Sequence, residues 1–196
     1  MDFTKERTSE LSDEILCAKA CSGDRLSEER LVLRYQQLTR ACARPYFLAG
    51  GDSEDLIQEA MFGLLKAIRE FDPKRSVSFR TFAEVCIRNR IRSAVTSAAR
   101  GKHTPLNHSV PFELSMLESE NSPEELVITR EEGEERLDQI NRRLSPLEQR
   151  ILALYLQGLS YRDIGRQVER PTKAVDNAVQ RIRRKVAKVY GVFSES

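Results

Sequence analysis

Apolar positions along this chain recur at spacings of three and four rather than two. Leu31, Tyr35, Leu38 and Cys42 are separated by four, three and four residues, and Leu56, Ile57, Ala60, Met61, Leu64, Leu65 and Ile68 form one broad stripe. That is the period of a helix with one buried face, and no alternating run is long enough for a useful strand. The chain is therefore expected to be all-α. Helices are predicted over about 11–20, 28–46, 53–71 and 79–99, the last with Phe82, Val85, Cys86, Ile91 and Val95 as its apolar members. Asp52 is suited to cap the third, with Asp55 three residues on. Ile57, Leu64 and Ile68 read as core.

Glycine and proline punctuate the rest. Breaks fall at 50–52, 72–73, 101–111, 122–123, 145–146, 158 and 170–171. They divide the remainder into a polar linker over 104–121, an acidic helix from about 123 to 144, and a block over 145–190 with three helical pieces. In that block two helices meet at a tight turn. Ile164 and Val168 share one face of the first, Val175 and Val179 share one face of the second, and Gly165 allows a close approach. A helix-turn-helix built this way presents its second helix to the major groove. The outward positions are then Thr172, Lys173, Asp176, Asn177 and Gln180, with Arg181, Arg183, Arg184 and Lys185 nearer the phosphates. The rival reading is an ordinary helical hairpin with a basic solvent face.

Charge sharpens this division. The formal net charge is only +2, but its distribution is uneven. Residues 85–104 hold no acid and five basic side chains, Arg88, Arg90, Arg92, Arg100 and Lys102. Residues 113–138 hold ten acids against Arg130 and Arg136, and residues 170–188 hold seven basic side chains against Asp176. Two basic blocks around an acidic one fit two surfaces for a polyanion, and equally two solvated helix faces.

The N-terminus is polar and mixed in charge, without a signal-peptide core, and no apolar run approaches the roughly 18 residues of a membrane span. A cytoplasmic location is expected. The four cysteines, Cys17, Cys21, Cys42 and Cys86, read as reduced thiols in that compartment. Cys17 and Cys21 share a helix face, but His103 and His108 lie far away, so buried thiols are favoured over a metal site.

Three stretches carry a family resemblance: Asp55-Leu-Ile-Gln-Glu-Ala-Met-Phe-Gly-Leu-Leu-Lys-Ala-Ile-Arg-Glu-Phe-Asp72, the run from Ser78 through Ile91 to Arg100, and the block from Ser145-Pro-Leu-Glu-Gln-Arg-Ile-Leu152 to Lys185. In this order, and over well over half the chain, they resemble sigma factors of the sigma-seventy family, of the sporulation sigma factor H type. The resemblance implies a sigma-two domain over 12–103, an acidic linker over 104–135 and a sigma-four domain over 136–192. It implies docking to core RNA polymerase, at the coiled coil of the largest subunit, through Asp55, Gln58, Glu59, Met61 and Leu65, with the flap as a further contact. It implies that Phe71, Arg75, Thr81 and Phe82 surround a captured single-stranded base of the minus-ten element. Asn89 and Arg92 would read that element's duplex edge, and Arg88, Arg100 and Lys102 would contact its backbone. The minus-thirty-five element would be read by Thr172, Lys173, Asp176 and Asn177, beside Gln180, Arg181 and Arg184.

Single-stranded bases need aromatic platforms and their phosphates need cations, which is why these residue types suit the task. Phe79 reads as core rather than platform, and Phe71 is evenly balanced. Housekeeping members carry a tryptophan pair where this chain has Val85 and Cys86, and the chain has no Trp. An alternative sigma factor with a stricter promoter set is the reading. The linker is either a tether or a nucleic-acid mimic. The resemblance implies promoter DNA, duplex and single-stranded, as partner, a monomer when free, no membrane, no cofactor, no metal, and room for an anti-sigma factor.

An enzyme is disfavoured, because no phosphate-cradling loop, nucleophile elbow or histidine–carboxylate metal spacing is present. The rival of another class is a free-standing helix-turn-helix regulator, dimeric on a palindrome. An adaptor that binds polymerase without reading DNA is a third reading, weakened by the basic tract at 88–102.

Overall fold

The computed structural model describes residues 11–47, 53–74, 76–100 and 138–189. The predicted cap at Asp52, the linker, and the acidic helix as far as residue 137 lie outside them. The described residues contain no strand, and the class is all-α.

Capping decides where the N-terminal helices begin. Ser12 caps α1 (Asp13–Cys21). Asp24 caps α2 (Arg25–Ala43), accepting from the Leu26 amide at 3.2 Å and the Ser27 hydroxyl at 2.6 Å. The helix thus starts before the predicted residue 28, because the Asp24 carboxylate, held by the Ser27 hydroxyl, accepts from an orphan amide of its first turn. Pro45 offers no amide hydrogen to extend α2, and the chain tightens into a 3-10 turn over Arg44–Phe47. Helix α3 (Ser53–Glu70) follows, and α4 (Phe79–Arg100) begins where the Ser78 hydroxyl accepts from the Thr81 amide at 3.2 Å.

These four helices enclose one core. Leu16, Leu31, Leu56, Leu64, Ile68, Phe79, Ile87 and Ile91 are fully buried in it. Each such side chain contributes about 1.5–3 kcal/mol relative to exposure. Phe79 is the centre of an edge-on aromatic group, with Tyr35 at 5.0 Å and Phe71 at 5.3 Å between ring centroids. Helices α3 and α4 cross at Gly63, where an added Cβ would lie 2.8 Å from Ile87 Cα and 2.9 Å from the Cys86 carbonyl oxygen.

The structure defines the buried face of α4 and corrects one core expectation on α3. The buried stripe of α4 is Phe79, Ala83, Ile87 and Ile91, four apart. Val85 falls off that stripe and is 51% exposed, while Phe82, Cys86 and Val95 are half-buried. On α3 the buried stripe is Leu56, Ala60, Leu64, Ala67 and Ile68, leaving Ile57 half-buried at the edge that faces the C-terminal domain.

The C-terminal domain has its own core. Residues 138–143 are helical and bury Ile140, and Leu144 packs into the same cluster. Helix α5 (Pro146–Leu156) opens with a complete capping box between Ser145 and Glu148 and with proline at its first position. Ser160 caps α6 (Tyr161–Val168), and α7 (Thr172–Val189) follows the turn. Ile164, Val168, Val175 and Val179 are all buried between α6 and α7. A Cβ on Gly165 would sit 2.6 Å from the Arg170 carbonyl oxygen, so the glycine permits the approach.

The turn itself is reached through Glu169 in the left-handed conformation, φ 55°. A side chain there costs about 1–2 kcal/mol. Glu169→Gly is expected to stabilise the C-terminal domain by about 0.5–1 kcal/mol, read as a higher urea midpoint at unchanged m-value. A lower midpoint would mean that the Glu169 side chain contributes more than its backbone strain costs.

Candidate nucleic-acid interface

On α7 the buried residues Val175, Ala178, Val179, Ile182 and Val186 define one side. Thr172, Lys173, Asn177, Gln180, Arg181 and Arg184 lie exposed on the other, with Asp176 half-buried between them. Asp176 accepts from Lys173 Nζ at 2.9 Å and Gln180 Nε2 at 3.3 Å. The Lys173 ammonium holds its carboxyl below the usual range. Arg181 turns back toward α5, its Nε 3.5 Å from Glu148 Oε1, and Lys185 Nζ lies 2.7 Å from Glu148 Oε2. Glu148 was missing from the sequence reading. Burial opposes its charge, but hydrogen bonds from Lys185 and the Ser145 amide outweigh that and hold its carboxyl below the usual range. The capping-box spacing Ser145–Glu148 was the visible signal. The contact with α7 was not visible.

A second polar face runs along α4. Thr81, Val85, Asn89 and Arg92 are exposed and follow one another at spacings of four, four and three. Half-buried Arg88 borders them, bonded to Glu84 Oε1 through Nη2 at 2.8 Å and Nε at 3.2 Å. The Thr81 hydroxyl lies 2.9 Å from that of Ser78 at the helix cap. Phe82 is half-buried, 5.8 Å from Phe71. Phe71, evenly balanced on sequence, is 8% exposed and belongs to the core, as Phe79 does. Arg75, Lys102 and the side chain of Arg100 lie outside the described residues.

The five docking candidates of α3 separate onto three surfaces. Asp55, Gln58 and Glu59 line one groove of about 410 Å³, shared with Phe62 and with Ala94 and Ser97 of α4. Glu59 binds Arg90 Nε of α4 at 2.5 Å, and the Arg90 guanidinium sits 6.0 Å from the ring of Phe62. Met61 faces the C-terminal domain beside Ile57. Leu65 lines a separate groove with Glu28, Glu29, Val32, Leu33 and Arg69. Phe62, 54% exposed, is the aromatic member of the first groove that the sequence reading missed. Its place seven residues after Asp55 and three after Glu59 was the signal for it.

Cys17 is buried and its thiol is pushed up to about 12, first by burial and then by the charge of Asp13. Exposed Cys21 contacts the carbonyl oxygens of Ile68 and Arg69. Among the described residues no cluster of three metal-ligating side chains occurs, and no helix is long and apolar enough to cross a membrane.

Residues 31–101 match the Sigma-70 region 2 family and residues 134–186 match Sigma-70, region 4. The chain belongs to the sigma-70 family. An RNA polymerase sigma-H factor of Bacillus licheniformis is 40% identical, across 95% of this chain and 90% of that one. The RNA polymerase sigma-H factor of Bacillus subtilis (strain 168) is 38% identical, across 95% of this chain and 92% of its own. A crystal structure of the RNA polymerase sigma-H factor from Fusobacterium nucleatum is 32% identical, across 70% of this chain and 94% of that one, with a TM-score of 0.33. As an alternative member of the sigma-70 family the chain acts with core RNA polymerase and promoter DNA, directing promoter-specific transcription initiation. The α4 face falls in the region 2 match and the α7 face in the region 4 match, so each half of this sigma factor carries one polar helix face.

Proposed function

We propose that this sigma factor divides promoter reading between its two polar helix faces and docks on polymerase through α3. Residues 12–103 form the sigma-two domain, 104–135 the linker and 136–192 the sigma-four domain. Asp55, Gln58 and Glu59, with Phe62 beside them, form the docking face for the coiled coil of the largest subunit. Met61 and Leu65 flank it on neighbouring surfaces. Thr81, Phe82, Arg88, Asn89 and Arg92, with Arg75 and Arg100, meet the minus-ten element as duplex and then single strand. Phe71 supports Phe82 from below, as a core ring rather than a stacking platform. Thr172, Lys173, Asp176, Asn177, Gln180, Arg181 and Arg184 meet the minus-thirty-five element, with the flap close by.

The observation that carries this reading is the position of the exposed residues on α7. They lie opposite a buried seam that sets how α7 is presented, as a major-groove helix requires. Val85, exposed where housekeeping members present tryptophan, supports a weaker melting wedge and a narrow promoter set. The chain works as a specificity subunit in the cytoplasm, a monomer when free. Bond-making stays in the polymerase, no cofactor takes part, and an anti-sigma factor would compete for the same surfaces.

Run-off transcription with purified core polymerase tests this. Promoter-specific transcripts are expected only when the protein is added. The Gln58→Ala, Glu59→Ala double variant is expected to lose tenfold or more, since two central interface residues together carry about 2 kcal/mol or more. No transcript and no polymerase binding, with tight dimeric binding to duplex DNA alone, would replace this reading with that of a free-standing regulator.

A further inference from the structure

The two domains of this chain meet at a joint made largely of arginine and main-chain oxygen. Arg44, at the end of α2, is only 4% exposed. Its Nη1 donates to the carbonyl oxygens of Tyr155 at 2.6 Å, at the end of α5, and of Leu159 at 2.7 Å, in the turn before α6. Its guanidinium lies 4.1 Å from the centre of the Tyr155 ring and 6.0 Å from that of Tyr161. One turn earlier, Arg40 Nε donates to the Gly158 oxygen at 2.7 Å, and about two turns earlier Gln37 Nε2 donates to the Gln157 oxygen at 3.1 Å. Gly158 has φ 83°, and a Cβ there would run into the main chain of Gln37 and Ala41. Two donors on α2 and a third just past its end therefore grip one turn of the other domain, and that turn is bare enough to be gripped.

The chemistry makes this a two-state contact. While the domains are together, the Arg44 guanidinium meets carbonyl dipoles and two aromatic faces of the C-terminal domain. When they part, water can solvate it. Between the domains remains a cavity of about 360 Å³, lined by Ile57 and Met61 of α3 as well as Tyr155 and Tyr161. The C-terminal domain thus sits over one edge of the helix assigned above to polymerase docking.

We infer that Gln37, Arg40 and Arg44 form an autoinhibitory clasp, which holds the C-terminal domain over the Ile57–Met61 edge of α3 in the free chain and opens when polymerase takes that helix. The inference rests on the docking role of α3. Closed chains lower the apparent affinity for polymerase by the fraction that is open.

The test uses the full chain with Arg40→Glu and, separately, Arg44→Ala. Arg40 is only half-buried, so its variant keeps both cores, and it sets a carboxylate against the Gly158 oxygen with Asp163 as a nearby like charge. Small-angle scattering is expected to show a larger radius of gyration for both variants, at unchanged helicity. Titration against core polymerase is expected to show binding roughly tenfold tighter than that of the unaltered chain. Variants that stay compact, or that open and bind polymerase no more tightly, overturn the clasp. If neither the unaltered chain nor the variants bind polymerase while the variants still open, the docking role of α3 fails and the autoinhibitory role falls with it. Scattering and binding together thus tell the two failures apart. Should Arg44→Ala lose helicity, Arg40→Glu alone decides.

Discussion

Gly63→Val is expected to destabilise the N-terminal domain by about 3 kcal/mol or more, a large share of the roughly 5–15 kcal/mol that holds a typical domain folded. Ordinarily, replacing a mid-helix glycine would help, by about 1 kcal/mol for alanine and less for a β-branched side chain. Here the first atom of any side chain meets Ile87 Cα at 2.8 Å and the Cys86 carbonyl oxygen at 2.9 Å, and neither main-chain atom can swing aside. Helices α3 and α4 would have to separate, and the burial of Leu64 and Ile87 would suffer with them. Far-UV circular dichroism in a urea titration reads the loss. A midpoint within about 0.5 kcal/mol of the unaltered chain would show that the crossing can widen at little cost. With the docking face proposed on α3 and the minus-ten face proposed on α4, the same variant should lose transcription even where it remains partly folded.

Glu148→Ala is expected to cost the C-terminal domain about 2–3 kcal/mol at neutral pH. The carboxylate is buried, closes the capping box with Ser145, and receives Lys185 at 2.7 Å. Its removal frees the start of α5 and the far half of α7 together, and duplex binding should weaken as α7 loses its anchor. The pH dependence has a definite sign. The folded-state value lies below the ordinary 4.5, so the contribution is complete above that value and is lost as pH falls through the lowered one. Thermal unfolding of variant and parent should therefore differ most near pH 7 and converge toward pH 3. A gap that stays constant across that range would show that the cap geometry, rather than the charge, supplies the stability.

Much of this was legible in the sequence because local chemistry settles it. Ser145-Pro146 with Glu148, Ser160, and the paired seams Ile164/Val168 and Val175/Val179 act within a few residues of one another, and their pattern survives translation into structure. The α2 start was readable too, in Asp24 and Ser27, though the apolar stripe drew attention to Glu28. What sequence could not supply was any contact across long separations. Arg44 touches residues 111 and 115 positions away, and nothing about an arginine before proline announces a buried partner. Helical spacing also cannot say which edge of a stripe a second domain will cover. For that reason Ile57 read as core, and Met61 and Leu65 read as one surface with Gln58.

Among the described residues, the acceptors that Gln37, Arg40 and Arg44 reach across the domain joint are peptide oxygens. A peptide oxygen is present whatever residue bears it, so Gln157 and Leu159 could drift widely across generations without altering what Arg40 and Arg44 hold. The freedom is one-sided. A mutation at Gly158 inserts a side chain into the joint, and a mutation at Arg44 removes the hand that does the gripping. A lineage could therefore retune or abandon its closed form by changes at two or three positions, while both hydrophobic cores and the polar faces of α4 and α7 stay as they are.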